Sequence, residues 1–109
     1  MSLPTTLHEA FDILKSDLTP AEQIDIISMT KKDLYRMHNS LGRWIRNNWE
    51  LWHNGPITIY FNSLGIYHAD DMSGIIIESF WHHLRNEPLE IEQQVQFYKD
   101  FWAQKKEQK

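Results

Sequence analysis

The strongest constraint on the fold lies between Leu34 and Trp52. Leu34, Met37, Leu41, Trp44, Ile45, Asn48, Leu51 and Trp52 recur there every three or four residues, the period of one face of an α-helix. The stripe is apolar except at Asn48, which reads as a buried amide with its hydrogen bonds satisfied. Gly42 costs about 1 kcal/mol relative to alanine in such a helix, and a close helix crossing would explain its presence. The run TKKD at Thr30–Asp33 is a helix start, and HNGP at His53–Pro56 is a stop. A helix over about 31–52 is long for a chain of 109 residues. Other helices are expected to pack around it.

The flanking segments repeat the same punctuation. TLHE at Thr6–Glu9 and TPAE at Thr19–Glu22 have the capping-box pattern. Pro20 falls at the first helical position, where its missing N–H costs nothing. Leu7, Ala10, Phe11, Leu14 and Leu18 give the first helix its apolar side. Ile24, Ile27 and Met29 give the second its own. In ITIYFNSLG, the alternation of Ile57, Ile59 and Phe61 would suit a strand. No second strand is evident to pair with it, and Gly65 suits a helix C-cap, so the segment is read as helix. Asp70 or Asp71 is the expected N-cap of a helix carrying Met72, Ile75, Ile76, Phe80 and Leu84. A last amphipathic helix follows Pro88 with Ile91, Val95, Tyr98 and Trp102, and the tail AQKKEQK is expected to fray. The fold class is therefore all-α: a single domain over 1–109, a compact bundle of about six helices.

Composition narrows the chemistry. The chain has no cysteine, which excludes disulfides and thiolate catalysis and fits a reducing compartment. No leader pattern is visible at the N-terminus, and no apolar run approaches the ~20 residues that span a bilayer. The expected location is the cytoplasm, with no membrane partner. A net charge of −4 argues against general nucleic-acid binding. Charge is also unevenly spread. Residues 1–30 hold five acids and one base, and residues 31–56 hold five bases and two acids. The acids Glu9, Asp12, Asp17, Glu22 and Asp25 can pair with the basic segment inside the fold or form an outer face for a basic partner.

The polar residues near the centre have two readings. Arg43 and Arg46 lie three apart, near one face of a helix, with Asn47 one step round from Arg46. Guanidiniums with amides can grip a phosphate, or they can tie the third helix to Asp70 and Asp71. The second, structural reading is preferred for the cluster Arg43, Arg46, Asn47, Asn48, Asp70 and Asp71. Arg46, His53, His68, Asp70 and Asp71 are also the raw material of an acid–base or metal site. Their spacing matches no ligand motif, so no metal and no cofactor are expected. No P-loop, dinucleotide fingerprint or G-x-S-x-G elbow is present. Of the five tryptophans, Trp44 and Trp52 fall on the apolar stripe. Trp49 and Trp81 are the candidates for an exposed interface anchor.

LGRWIRNNWELW at 41–52 and YFNSLGIYHADDMSGIIIESFW at 60–81 resemble a family of small bacterial helical domains of unknown function. The shared pattern is a Leu-Gly-x-Trp-Ile-Arg-Asn segment, a Gly-Ile-x-His turn and an Asp-Asp-Met-Ser helix start, over about residues 30–85. The resemblance implies a helical domain and no particular activity.

The functional expectation is a non-enzymatic protein-binding module. Its most concrete form is a cytosolic immunity-type protein that neutralises a bacterial toxin enzyme, such as a nuclease, by covering its basic surface. The binding residues expected are Glu9, Asp12, Asp17, Glu22 and Asp25 with Trp49 and Trp81. The alternatives are a small hydrolase or metal-dependent enzyme centred on Arg46, His53, His68, Asp70 and Asp71, and a structural subunit that self-associates through Trp81 or the last helix.

Overall fold

Three threonines start the first three helices. A computed structural model describes residues 3–107, and in it α1 spans Leu7–Asp17, α2 Pro20–Ser28, and α3 begins at Lys31. Thr19 Oγ accepts from the Glu22 N–H at 3.1 Å while Glu22 accepts from the Thr19 N–H at 2.9 Å. Thr30 and Asp33 make the same exchange at 3.3 and 3.1 Å. At α1 the device is shifted: Thr6 Oγ accepts from the Glu9 N–H, but the Glu9 carboxylate reaches back to Thr5. Each bond satisfies a backbone donor that the helix itself leaves unpaired.

The helical path of α3 comprises Lys31–Leu34, a tight turn Tyr35–Met37, a wide π-helical stretch His38–Gly42 and a final α-helical piece Arg43–Asn48. It is followed by α4 (Pro56–Ser63), α5 (Ala69–Leu84) and α6 (Ile91–Glu107). The architecture is all-α, with six helices and no strand among the described residues. ITIYFNS is helical, as expected. Of the tail expected to fray, the part up to Glu107 is helical and residues 108–109 lie outside the described residues.

The centre of the bundle is α5. It packs against α1, α2, α3 and α6, and Ile75, Ile76 and Phe80 are fully buried with Phe11, Leu14, Ile45, Ile57 and Phe61. Each such side chain contributes on the order of 1.5–3 kcal/mol. His68 stands at the N-cap position of α5 without a side-chain cap bond. Asp70 and Asp71 instead occupy the first turn, where a carboxylate still faces the positive end of the helix.

The third helix departs from the expected 31–52 in two ways. Its regular part ends at Asn48, because Glu50 and Asn54 take left-handed conformations at φ 58 and 60°. The π-helical turn before it also inserts an extra residue. The buried face therefore moves on by one position, from 41 to 45, 46 and 49 rather than to 44, 48 and 52. Trp44 is 37% exposed and Trp52 54%, while Trp49 is 2% exposed. Asn48 is exposed, its amide donating to the Trp44 carbonyl at 2.8 Å. In α2 the buried residue is Ile26, with Ile24 and Ile27 exposed. That helix meets α5 at its C-terminal end, where Trp81 Nε1 donates to the Met29 carbonyl at 3.0 Å and Arg85 donates to the Ile27 carbonyl at 2.7 Å.

Candidate protein-binding face

The five acids of the N-terminal helices converge on two adjoining grooves. The first, about 550 Å³, lies between α1, α2 and α3, with Leu14 and Ile26 in its floor, Met29, Met37, Leu41 and Trp44 in its walls, and Asp17, Glu22 and Asp25 at its edge. The second, about 640 Å³, lies between the chain's N-terminal segment, α1 and α3 and carries Glu9, Asp12 and again Asp17. Trp44 lines both. Among the described residues no lysine, arginine or histidine lines either groove.

These carboxylates differ in how free they are. Glu22 is engaged by the Thr19 N–H, and Glu9 is held below its usual value by the Thr5 hydroxyl and backbone N–H. Asp12, Asp17 and Asp25 are exposed and make no ion pair among the described residues. Pairing with the basic segment of α3, the other expected use of these acids, is thus not seen for those three. The result is an apolar hollow bordered by negative charge.

Of the two tryptophans expected on this face, Trp49 lines the second groove but is only 2% exposed. It sits beneath Trp44, edge to face at 5.9 Å between ring centroids, and braces the exposed ring. Trp81 is 7% exposed. Its indole N–H is used by the Met29 carbonyl and its ring lies under the Arg85 guanidinium. The exposed tryptophans are Trp44 and Trp52, and Trp44 is the one beside the acids. The displacement by the π turn is the reason the stripe misassigns them, and a glycine inside a helical pattern was the one available signal.

Arg46 takes a structural position. It is 5% exposed. Its Nη1 donates to Ser73 Oγ at 2.9 Å, its Nη2 to the His38 carbonyl at 3.0 Å, and its Nε lies 3.4 Å from Asp70 Oδ1. The expected tie between the third helix and the start of α5 is thus made to Asp70. Asp71 is buried and accepts from Trp102 Nε1 at 2.8 Å, and burial raises its carboxyl above the usual range. Gly42 has its explanation here, because a Cβ on it would lie 2.9 Å from Arg46 Nη1. Ser73, missed by the sequence reading, completes the cluster. Its hydroxyl accepts from Arg46 Nη1 and donates to the Asp70 carbonyl. Arg43 and Asn47 are exposed and make no side-chain bond among the described residues.

The residues proposed for an enzyme site fall into two groups, His68 with Asp71 and Arg46 with Asp70, with His53 apart from both. His68 stacks on Trp102 at 4.0 Å, Asp71 bonds the same indole, and Arg46 and Asp70 belong to the α3–α5 tie. His53 lies exposed in the turn after α3. Among the described residues no group of three or more His, Asp or Glu side chains is placed to hold a metal ion, and no helix is long and apolar enough to cross a membrane.

A family model, "Domain of unknown function (DUF6794)", matches residues 3–84. The chain belongs to that family. The DUF6794 region takes in α1 through α5, and so both grooves and the Arg46 tie, and it stops before α6. No curated protein and no solved structure is a match for the chain.

Proposed function

We propose that this DUF6794 chain is a non-enzymatic protein-binding module that engages a partner with a basic surface through the face around Trp44. In its most specific form, the reading is of a bacterial immunity-type protein, acting in the cytoplasm, that covers the cationic active site of a toxin enzyme such as a nuclease. The observation that carries it is the gathering of Glu9, Asp12, Asp17, Glu22 and Asp25 around two apolar grooves that no cationic side chain among the described residues lines. Fixed negative charge on one face accelerates encounter with a cationic partner and disfavours an acidic one. The exposed ring of Trp44, braced from below by Trp49, supplies a rigid apolar contact at the centre of that charge.

The test uses the product of any toxin-like gene that adjoins this chain's own. Association rates are measured against ionic strength for the natural chain and for the Asp12→Lys/Asp25→Lys pair. Both aspartates are exposed and make no cap bond, so the pair is expected to fold within ~0.5 kcal/mol of the natural chain. The expected result is a rate that falls with salt and falls again in the variant. A rate indifferent to both refutes the acidic-face reading.

A further inference from the structure

Away from the acidic face, one buried side chain is left with an unused atom. The side chain of His82, on α5, is 10% exposed, and its Nε2 is the one buried side-chain nitrogen or oxygen among the described residues with no hydrogen-bond partner. We infer that His82 and Glu78 bind a divalent transition-metal ion such as zinc, with Glu90 as the third ligand and Glu87 orienting the imidazole. This site is separate from the proposed protein-binding face and does not depend on it.

The bond on the other ring nitrogen fixes which atom is free. Nδ1 lies 3.2 Å from Glu87 Oε1. The Glu87 carboxyl is held below its ordinary range by the bonds from His82 and Arg85, so it accepts, and the proton belongs to Nδ1. Metal-binding histidines are held in the same way, by a carboxylate on the nitrogen away from the ion. Nε2 then faces two more carboxylates, Glu78 Oε2 at 3.5 Å and Glu90 Oε2 at 3.9 Å. Both separations are too long for a good N–H···O bond. A nitrogen lone pair among negative oxygens is repelled by them, and a cation between them turns that repulsion into attraction.

Spacing and ligand type select the ion. Bonds of ~2.0–2.1 Å from nitrogen and oxygen to a tetrahedral ion put two ligand atoms about 3.3 Å apart. That is close to the 3.5 Å between His82 Nε2 and Glu78 Oε2. The two residues stand one turn apart on α5, so the helix itself presets their separation. As the side chains stand, no three of them close on one ion. Glu90 completes the set by turning inward from a side chain that is 51% exposed. Lys31, 3.7 Å from the same Glu78 oxygen, is 61% exposed and yields it at little cost. Imidazole with carboxylate suits zinc and its first-row neighbours, whereas magnesium and calcium take oxygen ligands. Glu87 and Glu90 lie in the turn between α5 and α6, so the ion ties that turn down onto α5.

The test adds zinc chloride to the full chain after treatment with a chelator. Calorimetry reads affinity, and the imidazole nitrogen shifts read location. Expected are one bound equivalent, a shift of His82 Nε2 to that of a ligated nitrogen while Nδ1 keeps its proton, and unmoved signals from the other histidines. Magnesium at the same concentration should not compete. Glu78→Gln, which keeps the shape of the side chain, should weaken zinc binding about tenfold or more, and Glu87→Ala should weaken it about tenfold. In the zinc-free chain Glu87→Ala should also move the His82 proton from Nδ1 to Nε2, a readout that lost packing would not give. Glu92→Gln, exposed in the first turn of α6, should leave binding unchanged. No heat and no shift at millimolar zinc, zinc on a different histidine, or equal affinity in Glu78→Gln overturns the site. So does an Nε2 that keeps a proton at saturating zinc, which would assign that nitrogen to a water or to a hydrogen bond with Glu78.

Discussion

Removing Arg46 should cost far more than removing the carboxylate it pairs with. In Arg46→Ala, Ser73 Oγ and the His38 carbonyl lose donors at 2.9 and 3.0 Å. Bonds from a charged donor contribute ~1.5–3 kcal/mol each, so the two together account for roughly 3–6 kcal/mol, and the buried alkyl chain adds packing to that. Asp70 is different. At 3.4 Å the bare Coulomb attraction spans ~1 to ~5 kcal/mol between water-like and surface-like dielectrics. Its side chain is 56% exposed, which places the pair near the lower end. Asp70→Asn also removes a charge from the first turn of α5, worth ~0.3–1 kcal/mol. Its total cost should be ~0.5–1.5 kcal/mol, with Arg46 still held by its two other partners. Urea unfolding of the two single variants and the double variant, with unchanged slopes, measures each cost and the coupling. The reasoning is refuted if Arg46→Ala costs no more than Asp70→Asn.

Three further outcomes follow from the same contacts. Gly42→Ala places a Cβ 2.9 Å from Arg46 Nη1 and 3.3 Å from the Met37 carbonyl oxygen and should destabilise by ~1–3 kcal/mol, whereas in an Arg46→Ala background the same change should cost less, with only the Met37 contact left, as a pair of thermal melts would read. Trp49→Ala should cost ~3–5 kcal/mol, and Trp52→Ala, at a site 54% exposed, should cost under half of that in the same denaturation assay. Asp71→Asn keeps an acceptor for the Trp102 indole while removing a buried charge. Burial raises the Asp71 carboxyl above its ordinary 3.8, so its favourable contribution is full below that value and is lost as pH rises through the folded one. The asparagine variant should therefore match or exceed the natural chain at pH 7 and lose that advantage below about pH 3.8, which stability measured across pH would show.

Helix starts were the most legible part of this chain, because a cap is a local contract between two residues three apart. Thr19 with Glu22 and Thr30 with Asp33 honour it in both directions. The acidic patch was legible for a similar reason: five carboxylates on two short successive helices cannot all turn inward. The rotation of α3 was not legible. Periodicity assumes a constant number of residues per turn, and the wide turn at His38–Gly42 breaks that assumption. One inserted residue moved Trp44 and Asn48 to the surface and Trp49 to the core. The same reasoning would have placed Trp81 outside, since its burial depends on a carbonyl of Met29, 52 residues away in the chain. Arg46 was legible as a partner for the start of α5, but the choice of Asp70 over Asp71 rests on Trp102, in a helix the basic segment says nothing about.

The last helix leaves its imprint on the central one. Trp102 engages Asp71, Gln94 donates to Ser79, and a Cβ at Gly74 would come within 2.6 Å of the Tyr98 hydroxyl. Residues 71, 74 and 79 lie inside the span matched by the family, and their partners lie beyond it. A relative that ends near the position of Leu84 would open that side of its central helix to water. Such a relative is expected to carry exposed-type polar residues on that face, with a side chain in place of the glycine at position 74. The amino acids found there would then tell whether a sixth helix follows.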